Sequence, residues 1–200
     1  MCKTVVYIAE IPERDEFSPV YPLERQEEIE RYSNPKVKRE KYFVWKLLEF
    51  ALSDSFGIDM TELDIKKNEN GKWTADKIYF SLSHTGGAVA VAVSNKNVGV
   101  DVEAVRRQRA GLEERILTPA ELCELAELDG DASAEYVIKR WSQKESIFKT
   151  LDRKAFIPTS IAADEFSVRT EKIELSGQTY MLSVCSEYAK NVKFNMCESI

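Results

Sequence analysis

The chain has 200 residues and a net charge of −6, with 44% hydrophobic and 31% charged residues, which is typical of an ordinary globular protein. The acidic balance argues against nonspecific binding to nucleic acid, and the apolar runs are much shorter than the ~20 residues that cross a bilayer. The four cysteines, Cys2, Cys123, Cys185 and Cys197, fit no metal-binding spacing. We therefore expect free thiols, no signal peptide and a cytoplasmic protein.

The sequence of the first part of the chain predicts a strand, two helices, a short second strand and a turn. A strand is expected over Lys3–Ile11, followed by a loop and a short charged helix. A long helix is expected from about Pro35 to a stop at Gly57, because apolar residues recur there at helical spacing. A solvated face is the favoured interpretation of its basic first turns, which carry Lys36, Lys38, Arg39 and Lys41. A helical turn, a short strand and an Asn-Gly turn come next.

The segment Phe80–Glu103 predicts three short strands around which the rest of the chain is organised. The chain's only histidine, His84, lies near the end of the first of these strands. In the third, VGVDVE, the valines form one face, whereas Asp101 and Glu103 lie together on the other. Two carboxylates so close repel each other unless a cation or a proton lies between them, and Gly99 leaves room for a group to approach.

The stretch after Glu103 predicts a basic patch and two further helices. The patch consists of Arg106, Arg107 and Arg109. Thr118-Pro119-Ala120-Glu121 has the residues of a helix start, with threonine as N-cap. Residues 130–133, GDAS, predict a break before a second long helix over Ala134–Leu151, and a strand-rich stretch closes the chain.

Glu145 is the most informative residue of the second long helix. At helical spacing it falls on the same face as Trp141 and Phe148, where a carboxylate is costly unless it is paired or binds a metal. Lys149 lies one turn further on. An ordinary ion pair between Glu145 and Lys149 is therefore the alternative to a metal ligand.

The motifs, taken in order, resemble those of the 4′-phosphopantetheinyl transferases of the surfactin-synthetase-activating type. They are Gly71-Lys72, Ser83-His84-Thr85, Gly99-Val100-Asp101-Val102-Glu103, and Trp141-Ser142-Gln143-Lys144-Glu145 with Lys149. The resemblance implies an α+β fold of two similar halves related by a pseudo-twofold, here residues 1–103 and 104–200. It also implies that coenzyme A binds in the cleft between the halves, and that a chain with both halves works as a monomer.

The resemblance further implies transfer of the 4′-phosphopantetheine group from coenzyme A to a serine of an apo acyl or peptidyl carrier protein. Such carriers serve fatty acid, polyketide or nonribosomal peptide biosynthesis. The implied Mg²⁺ ligands are Asp101, Glu103 and Glu145, which are also the implied catalytic residues together with Lys149. The implied coenzyme A-binding residues are Arg39, Gly71, Lys72, Ser83, His84, Thr85 and Lys149. The serine proton would go to Glu103, to Glu145 or to a metal-bound water.

The arginine patch is expected to dock the carrier, because carrier proteins are typically acidic; a merely solvated cluster is the alternative. The chain departs from the family pattern where Trp73 replaces a proline and Trp45 replaces an arginine, and where KTLDRKAF replaces a glycine-rich segment. Two other functions are compatible with the same residues: a metal-dependent phosphohydrolase acting on a small phosphoanhydride, and a non-catalytic homologue that binds carrier proteins.

Overall fold

The structure is a computed structural model that describes residues 3–107, 109, 111–151 and 153–197. Its strands are β1 (Thr4–Glu10), β2 (Ile65–Lys67), β3 (Trp73–Ala75), β4 (Tyr79–Thr85), β5 (Ala88–Ser94), β6 (Val98–Ala104), β7 (Val168–Leu175), β8 (Gln178–Ser186) and β9 (Lys193–Cys197). Its α-helices are α1 (Leu23–Glu30), α2 (Pro35–Phe56), α3 (Glu113–Ile116), α4 (Pro119–Ala126) and α5 (Gly130–Phe148). Short 3₁₀ turns lie at Met60–Glu62, Pro158–Ser160, Ala163–Glu165 and Ala189–Asn191.

Two sheets form the centre of the molecule. One has the strand order β4-β5-β1-β9 and the other β6-β8-β7, while β2 and β3 form a separate hairpin. The pairing is antiparallel except between β1 and β9. Because β4 and β6 each lie at the edge of a sheet, a side-chain link between them joins the two sheets.

The hydrophobic core is divided by β5, whose residues are all buried. Its valines pack in a cluster with α2, and its alanines pack in a second cluster with the valines of β6 and with β8. Alternating side chains of a strand point to opposite faces, so β5 lies between α2 and the second sheet. Helix α5 covers the other face of that sheet, where Ile147 packs near Cys185.

Local sequence signals set the ends of the helices. Asn34 caps α2 and accepts a hydrogen bond from Lys36 N–H, and Gly57 ends the helix in the left-handed conformation with φ 63°. A capping box joins Thr118 and Glu121 at the start of α4, as the sequence predicts. The predicted break at residues 130–133 is wrong, because this stretch forms the first turn of α5.

The mixed α+β class predicted from the sequence is confirmed. The division into halves at Glu103 and the pseudo-twofold stay predictions. Cys123, Cys185 and Cys197 are free thiols, and Cys2 lies outside the described residues. Within the described residues, no helix has both the length and the apolar character needed to cross a membrane.

Candidate active site

Serine side chains join the edge strands β4 and β6 and fix the position of Asp101. Ser81 Oγ accepts from Val100 N–H at 3.0 Å, and Ser83 Oγ accepts from Val102 N–H at 3.2 Å. Ser83 Oγ also donates to Asp101 Oδ1 at 2.8 Å. Ser81 and Ser83 share one face of β4 because they are two residues apart. The hydroxyl predicted to hold coenzyme A is therefore used to orient a carboxylate.

Gly99 allows helix α5 to lie directly against β6. A Cβ atom at this position would lie 1.9 Å from the carbonyl oxygen of Ser146 and 3.1 Å from Cβ of Lys149. The room that the sequence suggested beside the carboxylates is thus filled by the backbone of α5. This close approach brings Glu145 and Lys149 to the face of β6 that carries Asp101.

The Lys149 ammonium group lies between two carboxylates. Its Nζ is 2.8 Å from Asp101 Oδ1 and 3.7 Å from Glu145 Oε2, and it also donates to the Val100 carbonyl at 2.9 Å. Asp101 is 1% exposed, whereas the side chains of Glu145 and Lys149 are 26% and 23% exposed. The ion pair expected as the alternative for Glu145 is present, and Asp101 shares the same lysine.

The carboxylates of this cluster disfavour each other's ionisation. Burial raises the pKa of Glu145 to about 7, and the negative charge of Asp101 acts in the same direction. Burial and Asp101 also raise the pKa of Glu103, although hydrogen bonds from Trp141 at 3.1 Å and Thr85 at 3.3 Å oppose them. An additional cation would relieve this repulsion.

The donor set fits a hard divalent cation. Asp101 Oδ2 is buried, and it has no hydrogen-bond partner among the described residues. Carboxylate oxygens from Asp101, Glu103 and Glu145 are the ligands that Mg²⁺ prefers. No ready-made group of three acidic, histidine or cysteine ligands is found in the described part of the chain. A metal ion bound by Asp101 Oδ2 would lie beside the Lys149 ammonium group, which contacts Oδ1 of the same carboxylate.

A cationic cavity of about 270 Å³ adjoins the carboxylates. Among the described lining residues, one carries a carboxylate, Glu28, and five carry permanently basic side chains. The basic residues are Arg25, Lys41, Lys67, Lys72 and Lys149. Sequence analysis missed Arg25 and Lys67, and it placed Lys41 on a solvated face. Lys41 is instead part of the cavity wall, where burial and the charge of Arg25 both lower its pKa.

The structure brings several of the predicted coenzyme A-binding residues to this cavity. Gly71, Lys72, His84 and Lys149 line it, and Lys72 Nζ donates to the Lys149 carbonyl. Burial, followed by the charges of Lys41 and Lys149, lowers the pKa of His84 to about 4, so the imidazole is neutral at pH 7. A bound phosphate would offset those positive charges.

The remaining predicted residues have other contacts. Arg39 is paired with Asp15 at 3.6 Å and does not belong to the described lining of the cavity. Arg106, Arg107 and Arg109 are exposed. Arg106 also lines a depression of about 220 Å³ that contains Glu103, Leu112, Ile116, Ile138 and Trp141.

Lys144 supports the site from inside the protein. Its side chain is fully buried, and its Nζ is 2.6 Å from Glu121 Oε2 and donates to the carbonyls of Ile116 and Pro158. These contacts fasten the end of α3, the start of α4 and the 3₁₀ turn at Pro158–Ser160 to α5, one residue before Glu145. From the sequence, Glu121 was identified only as part of the capping box of α4. The structure shows that the same carboxylate also pairs with Lys144.

Comparison with known proteins agrees with the geometry. The profile of the 4′-phosphopantetheinyl transferase superfamily matches residues 97–197, which run from β6 to β9. A 4′-phosphopantetheinyl transferase of Bacillus subtilis is 25% identical over 160 residues, 78% of this chain and 70% of the relative. The 4′-phosphopantetheinyl transferase Sfp of Bacillus subtilis strain 168 is 24% identical over the same shares. The 4′-phosphopantetheinyl transferase gsp of Aneurinibacillus migulanus is 27% identical over 136 residues, covering 68% of this chain and 57% of the relative. The profile spans half of the chain and includes all three carboxylates, so the chain belongs to the 4′-phosphopantetheinyl transferase superfamily.

Proposed function

We propose that this protein transfers the 4′-phosphopantetheine group of coenzyme A to a serine of an apo carrier protein. The observation that carries the proposal is the contact between two charged clusters of opposite sign. The carboxylates Asp101, Glu103 and Glu145 adjoin the cationic cavity, and Lys149 belongs to both. The family match and the names of the relatives support the same reaction.

The reaction exchanges one phosphorus–oxygen bond for another. The serine hydroxyl oxygen attacks the phosphorus that carries pantetheine, and the anhydride bond of the pyrophosphate breaks. Adenosine 3′,5′-bisphosphate leaves with the bridging oxygen, and the serine proton passes to a carboxylate, Glu103 or Glu145.

Residues of the chain supply the positioning and the charge that this reaction needs. Lys149 and Lys72 line the end of the cavity nearest the carboxylates, where they would bind the pyrophosphate. His84 lines the same cavity and would bind another phosphate oxygen. Asp101, Glu103 and Glu145 would hold Mg²⁺, which neutralises charge that develops on the phosphate oxygens.

The carrier would approach from the side of Arg106, Arg107 and Arg109. These arginines follow β6, and Arg106 shares an apolar depression with Glu103, so an acidic partner docked there would lie beside the reacting group. Reversing the charge of Arg106 and Arg107 should raise the carrier's KM and leave that of coenzyme A unchanged. Arg31→Glu, which reverses the exposed charge of the residue that follows α1, is the control. Equal effects on the two substrates would contradict docking at this patch.

The reaction is tested by incubating the protein with coenzyme A, Mg²⁺ and an apo acyl or peptidyl carrier protein. Mass spectrometry should show one phosphopantetheine added to the carrier, and chromatography should show an equal amount of adenosine 3′,5′-bisphosphate. Release of that nucleotide without a carrier would favour a phosphohydrolase. Binding of the carrier with neither product would favour a non-catalytic homologue.

A further inference from the structure

Trp141 of helix α5 holds one of the carboxylates of the active site by a hydrogen bond. Its Nε1 donates to Glu103 Oε1 at 3.1 Å, and Thr85 Oγ1 donates to Oε2 of the same carboxylate at 3.3 Å. Because the two oxygens accept from different elements, α5 and β4, the plane of the carboxylate is fixed. The position of the indole ring therefore sets the direction in which Glu103 presents its remaining lone pairs.

The Trp141 ring has open space beside it. Its side chain is half-buried, and it borders the depression of about 220 Å³ that also contains Glu103 and Arg106. A side chain next to open space keeps its rotamer freedom unless another group packs against it. The orientation of the indole, and with it that of Glu103, therefore depends on the group that supports the ring from another side.

Phe156 supplies this support. Its ring lies edge-on to Trp141, with 5.4 Å between the ring centroids and 67° between the ring planes, and its centroid is 5.0 Å from that of Phe148. Aromatic pairs at this separation stabilise each other beyond the area that they bury. Trp141 and Phe148 lie four residues before and three residues after Glu145, so Phe156 lies alongside the helix turn that carries this second carboxylate.

The segment that carries Phe156 is itself held in place. Asn97 Nδ2 donates to the Thr150 carbonyl at 2.8 Å, and Lys144 Nζ donates to the Pro158 carbonyl at 3.1 Å, so the segment is fastened on both sides of the phenylalanine. Phe156 also packs against a buried hydrophobic cluster that includes the end of α5. It is the last residue of KTLDRKAF, where this chain departs from the family pattern.

We propose that Phe156 is a positioning residue, which holds the Trp141 indole and, through it, the Glu103 carboxylate in the orientation that phosphopantetheine transfer requires. The inference rests on the proposed function, because that function assigns Glu103 to the reaction. Phe156 acts through Trp141 and not through the cationic cavity. Its replacement should therefore lower kcat and leave the KM of coenzyme A unchanged.

The position of the indole is measured in the free protein from the nuclear magnetic resonance signals of the indole N–H groups. The chain has three tryptophans, and the Trp141 signal is the one that Trp141→Phe removes. In Phe156→Leu this signal should move towards that of a solvent-exposed indole and exchange faster with water, because the bond to the carboxylate is loosened. The signals of Trp45 and Trp73 should not move, because their N–H groups have other acceptors.

Transfer to an apo carrier protein measures the consequence for the reaction. Phe156→Leu should lower kcat by about two- to tenfold, the scale of one aromatic contact. Trp141→Phe should lower it by about ten- to a hundredfold, the scale of a hydrogen bond to a charged group. The double variant should transfer no more slowly than Trp141→Phe, because Phe156 then has no indole N–H to position.

Matched variants separate positioning from a general loss of packing. Phe50→Leu removes an edge-on contact of the same kind, 5.7 Å from the Tyr7 ring, and should change neither kcat nor the Trp141 signal. Phe156→Tyr keeps the ring and should behave as the wild type. If Phe156→Leu does not fold, Phe156→Met takes its place, since methionine fills the space with a flexible side chain.

An unmoved Trp141 signal, a wild-type kcat in Phe156→Leu, or losses that add fully in the double variant would overturn the inference. Normal transfer by the wild type with any of these results would reject the positioning role alone. Absence of transfer by the wild type would instead reject the proposed function.

Discussion

Gly99 offers the most direct test of how the site is assembled. In Gly99→Ala the new Cβ would lie 1.9 Å from the Ser146 carbonyl oxygen, whereas ordinary van der Waals contacts begin near 3.4 Å. Helix α5 would therefore have to move away from β6 by about 1.5 Å, the difference between these distances. The obstacle is helix backbone, which cannot rotate aside as a flexible side chain can.

The expected loss of stability in Gly99→Ala follows from the cost of overpacking. Inserting a methyl group into a tightly packed interior costs about 1–3 kcal/mol, and we expect the upper end here because backbone must move. For a chain of this size, about 3 kcal/mol lowers Tm by roughly 6–12 °C. Lys149 would also lose its distances to Asp101 and the Val100 carbonyl, so phosphopantetheine transfer per folded molecule should fall as well.

Thermal unfolding followed by circular dichroism measures the first effect, and transfer to an apo carrier measures the second. Gly86→Ala is the matched control for stability, because its Cβ would meet only the end of the flexible Lys36 side chain, at 3.3 Å. A Gly99→Ala protein that melts together with the wild type and transfers at the wild-type rate would show that α5 does not pack against β6 as described.

Three further predictions follow from the charges. Burial and nearby cations lower the pKa of His84 from its ordinary 6.5 to about 4 in the folded protein. The wild type should therefore lose up to about 3 kcal/mol of stability relative to His84→Asn as the pH falls from 6.5 to 4, and parallel pH–stability curves would contradict this. Lys144→Met removes the nearest cation of the buried Glu121 carboxylate and leaves it only Arg140 Nε, at 3.8 Å. Denaturant unfolding should therefore show a loss of about 3 kcal/mol, the lower end for a broken buried ion pair, and an unchanged midpoint would refute the pairing. In the presence of a chelator, Glu145→Gln should unfold at a higher temperature than the wild type, because its repulsion with Asp101 is removed. The variant should not be stabilised by Mg²⁺, and it should transfer phosphopantetheine orders of magnitude more slowly. A variant with wild-type turnover and a wild-type response to Mg²⁺ would refute the assignment of Glu145 as a metal ligand.

Prediction from the sequence was most accurate for features that a short-range pattern of residues determines. Alternation in VGVDVE placed Asp101 and Glu103 on one face of β6, and the capping residues marked the start of α4. The helix residues Glu145 and Lys149 could be associated with the strand only through the family resemblance, since nothing local indicates that α5 packs on β6. The predicted break at residues 130–133 failed because a glycine and an aspartate are tolerated in the first turn of a helix.

The cationic cavity was the hardest part to predict because its wall comes from distant segments. Arg25 lies in a short helix rich in glutamate, and its only local signal was that Ile29, four residues on, shares its buried face. Lys41 looked like a member of a solvated row, since helical spacing alone does not show which side of α2 meets the cavity. Lys144 is buried one residue before a half-buried carboxylate, and only the packing of α4 against α5 explains this.

Clusters of buried charge around Lys144, Glu145 and Arg25 differ in how completely their charges are paired. The difference supports a ligand-binding role for the last two. Lys144 and Glu121 pair at 2.6 Å, and the lysine's other contacts are backbone carbonyls, so that cluster is complete without a ligand. In the active site, by comparison, burial and like charges raise the pKa of Glu145, and burial lowers that of Arg25. Such unfavourable charges reduce stability and are typical of sites that await a partner. Each of these two clusters also contains a buried polar atom without a hydrogen-bond partner among the described residues, Asp101 Oδ2 in one and Arg25 Nε in the other. We expect a cation to satisfy the first and a hydrogen-bond acceptor of a bound ligand to satisfy the second.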